Sequence, residues 1–426
     1  MIEQINDELT AVTPMAGSAA TVTREKIALA PGQAGSDTNA STRPGNLAND
    51  VQAQTTWTGT DPISKLRELS TRNVAAMETS RLLAAKRSYA TRRIQMNDAA
   101  TLISGAVRPK AGDLVLARVD VLGHHRKLES PAGRRAKLYP GDEILLLYGN
   151  RYATDQFEAI IPDNLGPCNM VAGGGIAARA VLSNSNARQP TIIEPLGLVG
   201  DCDGMPLNLR TYAEPTPRLM PEDTLGTSHM PAKRTARVIV VVGTSMNAGK
   251  TTMAASLIKG LARGGYKVGA GKVTGTGAGG DRWSVTDAGA NQIIDFTDFG
   301  YPSTYLLSDQ TLARLFADIC DALCNGGNDY VVLEIADGLF FPETSGLVQA
   351  PEFHQRVDDV MLAASDAMGA SAGVRFLAEK NLGVYAIGGK ITASPLAARE
   401  AGRVIDVQFV SSHELASPDW AFPAAT

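Results

Sequence analysis

The spacing of apolar and polar positions changes character several times along the chain. Residues 1–60 scatter single apolar residues among Ala, Thr, Ser, Gly, Asn and Pro with no sustained period. Too little surface can be buried there to offset the entropy of ordering, so this segment is expected to be largely disordered. Over 61–105, Ile63, Leu66, Leu69, Leu82 and Leu83 stand among many Lys and Arg in helix-forming stretches such as KLRELSTRN and LLAAKRSYATRR. That pattern predicts one or two basic amphipathic helices whose charges form a solvated face. From 106 to 205 the runs shorten: DLVLARVDVLG, DEILLLYGN, FEAIIP, ARAVL and TIIEPLGLVG are broken by Pro-Gly, Gly-Asn and Gly-Gly turns. These predict a small β-rich domain, a barrel or a sandwich. A Pro- and Thr-rich stretch, 206–235, reads as a linker.

Over 236–426, apolar runs such as RVIVVVG and YVVLEIA alternate with helical ones such as TMAASLIKGLARGG and QTLARLFADICDALC. Fully apolar strands between helices predict an α/β domain, a parallel sheet with helices on both faces. At 426 residues and 44% hydrophobic, the chain has room for two or three domains. Its 40 Lys+Arg against 44 Asp+Glu argue against nucleic acid or an anionic membrane as partner and for small-molecule chemistry. Cys168, Cys202, Cys320 and Cys324 are too scattered for a disulfide framework, and Cys320 and Cys324, one helical turn apart, read as helix packing. No apolar run approaches the ~20 residues of a membrane span, and the start MIEQINDELTAV lacks an apolar signal core. A cytoplasmic protein is expected.

The stretch ARVIVVVGTSMNAGKTTMAASLIKGLARGG joins an apolar strand, a glycine turn, Lys-Thr and an amphipathic helix. Backbone N–H groups at such a helix start can nest phosphate oxygens. Glycines let the backbone approach, a lysine neutralises charge, and a hydroxyl can ligate magnesium. Gly243, Thr244, Asn247, Ala248, Gly249, Lys250, Thr251 and Thr252 are therefore candidate nucleotide-binding residues, and the domain is expected to be of P-loop NTPase type. Five residues separate Gly243 from Gly249, one more than the common spacing.

This longer loop, GTSMNAGKT, resembles that of the dethiobiotin synthetase and cobyrinic acid a,c-diamide synthase families. GKVTG, VTDAGANQ, DFTDFGYPSTY and LEIADGLFFPET resemble further synthetase segments in the same order, so the likeness covers about 237–405. The resemblance implies that Lys250 serves phosphate and that Thr251, Asp287 and Glu334 hold magnesium, with Asp281 or Asp295 as alternatives to Asp287. It implies further that Lys272 binds a substrate carboxylate or carbamate, helped by Thr274 and Thr276. The residues agree in part: Glu334 ends a buried strand at the carboxyl edge of the sheet, where open α/β folds bind ligands, and Mg2+ prefers hard oxygen donors. The implied activity is ATP- and Mg2+-dependent activation of a carboxylate or carbamate for C–N bond formation, with Lys250 and Lys272 as catalytic residues. The implied partner is a small molecule carrying a carboxylate or an amine. A homo-oligomer is expected, since this fold often places its site at a subunit boundary.

The chain departs from the synthetase at Ile335-Ala336-Asp337-Gly338, where Asp337 adds a carboxylate towards the substrate, and at Gly388-Gly389-Lys390, where the adenine-reading asparagine is missing. A different acceptor is implied, and ATP is only the default nucleotide. A fainter resemblance is to a P-loop family of unknown function that includes D-glutamate N-acyltransferases, which implies coenzyme A as another occupant of the loop. A small-molecule kinase, an acyltransferase, and a nucleotide-switched assembly factor or metallochaperone remain as alternatives. Against the last, no Asn-Lys-x-Asp appears, and Thr244 stands where partitioning ATPases carry a signature lysine. Before the linker, HHRKLESPAGRRAK reads as a solvated hairpin tip that could close over an anionic ligand, and Gly173–Gly175 receives no nucleotide role. Trp283 is placed in a mobile loop near Lys272.

Overall fold

The alternating runs of the C-terminal half become a six-stranded sheet. Its order is Gln292–Asp295, Val268–Lys272, Tyr330–Glu334, Arg237–Gly243, Asp359–Ala363, Val384–Gly388, with every pairing parallel. The computed structural model describes residues 71–213 and 236–420, all within one compact unit. The disorder expected of 1–60 lies outside the described residues. Successive side chains of a strand point to opposite faces. Along Arg237–Gly243, Val238, Val240 and Val242 therefore join one core, and Ile239 and Val241 join the other. The first is covered by Leu312, Leu315, Phe316 and Ile319 of the helix Asp309–Asn325, where Cys320 is also fully buried. Met253, Leu257, Ile258 and Leu261 of the helix Lys250–Arg263 cover the second. This two-sided burial is the reason that the strands read as unbroken apolar runs.

The β-rich half closes on itself. Thr191–Gly200 pairs with Leu114–Val121, which pairs with Glu143–Tyr148, then Ile176–Ser183, then Cys168–Ala172, and the last pairs back with Thr191–Gly200. The ring makes this half a barrel rather than a sandwich, in which each of these five strands is paired on both sides. Leu114 and Leu116 fall in one apolar cluster while Val115, Ala117 and Val119 fall in another, so both faces of that strand are covered. Among the described residues, no helix is long and apolar enough to cross a membrane.

The structure departs from the expected pattern in two places. Within 61–105, Arg72–Ala76 and Thr101–Gly105 pair as antiparallel strands that extend the barrel sheet, and the only α-helix among the described residues there is the short Thr79–Ala84. Leu82 is buried but Leu83 is 77% exposed, so the pair forms no continuous apolar stripe. Ile63, Leu66 and Leu69 lie outside the described residues. The charges are not simply solvated either: the Arg87 guanidinium donates to the carbonyls of Thr91, Arg92 and Ile94 at 2.7–3.0 Å. The start of the expected linker also belongs to the barrel. Leu207 and Leu209 are buried in its core, and Leu114 N donates to Leu207 O at 2.8 Å. Residues 214–235 lie outside the described residues.

Candidate phosphate-binding site

At the carboxyl end of Arg237–Gly243 the chain turns through Thr244–Gly249 into the helix Lys250–Arg263. Gly249 has φ 105°, and a Cβ there would lie 2.9 Å from Gly389 Cα, so both conformation and space require glycine. Asn247 also has positive φ, 62°, tolerable for this residue type. Ala248 is fully buried and its carbonyl accepts from Lys390 N at 2.9 Å, which seats the loop on the Gly388-Gly389-Lys390 turn. Thr244 N donates to Ala363 O at 2.9 Å and anchors the other end. Lys250, 6% exposed, folds over Gly243 and donates to the carbonyls of Ser245 at 3.0 Å and Asp337 at 2.6 Å. Burial pushes its ammonium pKa down against the pull of Glu334 and Asp337.

Four side chains converge just behind the loop. Thr251 Oγ1 lies 3.1 Å from Asp281 Oδ1 and 3.0 Å from Glu334 Oε1. Lys272 Nζ pairs with Asp281 and stands 3.9 Å from Glu334. Register places them, because Lys272 and Glu334 are partners on adjacent parallel strands, both at the carboxyl edge. A cavity of about 570 Å³ opens over Gly249, Lys250, Thr251, Thr252, Lys272, Thr276, Asp281, Glu334, Asp337 and Lys390. Asp337 has φ 61°, and burial pushes its carboxyl pKa up while Lys250, Lys272 and Arg151 oppose that shift. One hydroxyl and two carboxylates within hydrogen-bond reach suit a hard cation such as Mg2+, which asks few protein ligands besides phosphate. Among the described residues, no group of three or more His, Cys, Asp or Glu suited to a metal exists, so a site that needs only protein ligands of those types is not present.

Three expected site residues fall elsewhere. Asp287 is exposed near the end of the helix Gly280–Ala288 and does not line the cavity; Asp281, on the first turn of the same helix and facing another way, does. Asp295 is buried outside this cavity, taken up by Tyr89 and Arg92. Thr274 is 1% exposed and its hydroxyl accepts from Ala336 N at 2.8 Å, so it shapes the turn before Asp337 instead of facing a ligand. Trp283 is no loop lid. It lies on the helix Gly280–Ala288 and its Nε1 donates to Glu129 Oε1 at 2.9 Å.

The barrel supplies a wall of the cavity that sequence reasoning missed, through Arg151, Tyr152, Ala153, Ala172 and Gly173. Arg151 is 7% exposed; its NH2 donates to Gln156 Oε1 at 2.8 Å, and its NH1 lies 3.1 Å from His125 Nε2. Burial and the Arg151 charge push His125 down to about 3, so the ring is neutral and accepts that N–H. Tyr152 stacks on Phe341 with centroids 4.2 Å apart, and Asp155 accepts from the Asn247 amide of the phosphate loop. The Gly173–Gly175 turn presses on the segment after Lys272: a Cβ at Gly174 would lie 2.1 Å from Gly277 O. The glycines were visible in the sequence, but nothing in their spacing says which distant segment they meet.

A scan against protein-family models finds no match, and no curated protein matches the chain significantly. Among solved structures, the chain is similar to the Signal Recognition Particle 54 kDa protein from Aeropyrum pernix K1 in complex with GDP, at 18% identity and TM-score 0.30, over 45% of this chain and 45% of that one. It is also similar to the cell division protein FtsY from Thermotoga maritima, at 16% identity and TM-score 0.32, over 44% of this chain and 65% of that one. The signal recognition particle receptor FtsY from Elizabethkingia anophelis in complex with GDP matches at 20% identity and TM-score 0.26, over 38% of this chain and 51% of that one. The chain thus spans less than two thirds of the length of each of these three structures. They are not synthetases and do not confirm the finer resemblance to dethiobiotin synthetase; the α/β, P-loop NTPase-type fold of 236–420 rests on the strand order and the strand–loop–helix geometry above.

Proposed function

We propose that the chain is a nucleoside-triphosphate- and Mg2+-dependent enzyme that activates a small carboxylate or carbamate by phosphoryl transfer for C–N bond formation, with ATP as the default nucleotide. The observation that carries this reading is the meeting of Lys250, Thr251, Glu334, Asp281 and Lys272 around one cavity. A hydrolytic switch needs the phosphate loop and a cation site; a lysine at the end of the neighbouring strand, beside the same acids, supplies in addition a cation for a second, anionic reactant.

In this reading Lys250 exchanges its two carbonyl partners for phosphate oxygens, and the loop amides cradle the remaining charge. Mg2+ would be held by Thr251, Glu334 and Asp281 and would neutralise phosphate charge. Lys272 orients the substrate carboxylate, one oxygen of which attacks the γ-phosphorus as the bond to the leaving diphosphate breaks. The acyl phosphate is then captured by an amine, with inorganic phosphate leaving. Asp337, whose carboxyl pKa burial pushes up, faces the same space, and its carboxylate form can accept a proton from that amine.

The test begins with nucleotide-dependent thermal stabilisation, comparing ATP, GTP and coenzyme A with and without Mg2+. An ATP shift that needs Mg2+ and vanishes in Lys250→Ala supports the reading and leads to screening carboxylates for ADP release. A shift with coenzyme A alone turns the assignment to acyl transfer, and turnover of ATP only with a protein partner turns it to an assembly factor.

A further inference from the structure

A second cavity, of about 580 Å³, adjoins the first and shares Gly173, Ala278 and Asp281 with it. Its outer wall is the hairpin Lys127–Glu129/Arg135–Lys137 with the segment before it, so the basic stretch HHRKLESPAGRRAK lies against the α/β half and is no free tip. Arg126, Lys127 and Arg135 line this space, and none has a carboxylate within ion-pair distance among the described residues. The two acids in the lining do not offset them. Glu129 is occupied by Gly279 N and Trp283 Nε1, both at 2.9 Å, and Asp281 by Lys272 and Thr251. Three exposed cations gathered around one recess, with no carboxylate paired to them among the described residues, give it a positive potential that attracts an anion, most strongly at low salt.

A second feature points the same way. Arg151, whose neighbours His125 and Gln156 line the second cavity, itself lines the first and is more than nine-tenths buried. Its Nε has no hydrogen-bond partner, and its two contacts, His125 and Gln156, are neutral. The Asp337 carboxylate, which lines the same cavity, attracts the Arg151 charge but does not hydrogen-bond to it, so the buried guanidinium keeps a donor, Nε, free for an acceptor. It stands where the two cavities adjoin, on the path between the hairpin cations and Lys272.

We propose that the second cavity binds the acceptor of the reaction as a small molecule carrying two or more carboxylate or phosphate groups. Arg126, Lys127 and Arg135 hold its outer anionic end, Arg151 takes an oxygen at the junction, and the reacting carboxylate reaches Lys272. This rests on the reading of the phosphate-loop cavity as the place of phosphoryl transfer. It narrows the substrate to a polyanion, and it assigns acceptor recognition to the barrel.

The experiment is isothermal titration of the full chain at low salt with tricarballylate as the carboxylate probe and fructose 1,6-bisphosphate as the phosphate probe. One of them should bind saturably to wild type and equally to Lys250→Ala. In the triple variant Arg126→Ala/Lys127→Ala/Arg135→Ala, all exposed side chains, its Kd should rise by at least about tenfold. A control triple, Lys110→Ala/Lys267→Ala/Arg403→Ala, removes the same charge from exposed positions elsewhere and should leave Kd unchanged. Binding by neither probe, or equal loss in both triples, overturns the proposal. Nucleotide stabilisation separates the two claims. If the ATP shift is present while the probe titrations fail, the anion site alone falls; if the probes behave as expected but no nucleotide binds, phosphoryl transfer falls and a polyanion-binding site stands.

Discussion

Asp281 and Asp287 differ by six positions on one short helix, and only the first reaches the acids and hydroxyl around Lys272. Asp281→Asn is therefore expected to raise the Mg2+ concentration needed for half-maximal nucleotide stabilisation by about tenfold, while Asp287→Asn leaves it at the wild-type value. Melting curves across a magnesium series distinguish the two. Glu343 presents a different residue-scale consequence. It is buried, one carboxyl oxygen accepts from Thr304 Oγ1 at 2.9 Å, the other has no partner, and burial pushes its pKa up to about 7. The folded form thus binds a proton that the unfolded form releases near 4.5, so this group makes stability fall as pH rises from about 4.5 to about 7, by up to about 3 kcal/mol. Glu343→Gln should flatten that part of the pH dependence in denaturant titrations; an unchanged slope would show that the carboxyl is ionised in the fold. The strand–loop–helix turn from Gly243 to Lys250 was legible because an apolar strand, glycines and a Lys-Thr helix start stand in order. Asp281 was not separable from Asp287 on composition, because the side of a helix that faces a ligand depends on where its axis is laid.

The helix Gly280–Ala288 shows how one element can serve two neighbours. Its first turn carries Asp281 into the cavity, while Arg282 and Trp283 reach an acidic pocket and the barrel. Opposite it, Arg92 from the barrel side donates to Asp295 at 3.2 Å and Asp298 at 2.5 Å and lies 4.4 Å from the centre of the Tyr89 ring. Tyr89 OH donates to Asp295 at 2.9 Å, and Arg92, Thr297 and Arg282 overcome burial to hold that carboxyl below its usual range. Removing one partner of such a set leaves charge buried and under-compensated, which typically costs about 3–5 kcal/mol. Arg92→Ala should accordingly lower the denaturation midpoint by a margin readily seen in urea, with Arg92→Lys recovering only part because a single ammonium cannot span two carboxylates. If Arg92→Ala melted like wild type, the network would be ornament at the surface. This arginine sits in the stretch expected to be an exposed helical face, and its spacing there was no guide: a charge run looks alike whether its partner is water or a distant strand.

On the scale of the whole molecule, the apolar rhythm disclosed the strands that are buried on two sides, as at Val240 and Leu116, but not the exposed strand Arg72–Ala76, where every residue faces solvent. It left undetermined whether the β-rich half was a barrel or a sandwich, because closure depends on the pairing of Cys168–Ala172 with both of its neighbours, and pairing partners leave no local mark. It also hid the seam along which the halves meet. That seam joins Tyr89, Arg92 and Glu129 to Asp295, Gly279 and Trp283, so the described barrel and sheet should unfold together as one calorimetric transition. Gly174→Ala, whose new carbon would meet Gly277 O at 2.1 Å, is expected to force the halves apart and either lower or split that transition.

The close approach of Gly174 to Gly277 has a consequence for how this protein can vary. The contact is made by main chain against main chain, so neither position offers a functional group for a reagent, a cofactor or a proton to act upon. A survey of every single substitution should find Gly174 intolerant and its neighbour Gly173, with no atom nearer than 3.9 Å to an added Cβ, permissive. Change in the two halves would then be free on either side of that contact and restricted at it, and the shape of the cavity would be inherited through a residue whose side chain is a single hydrogen.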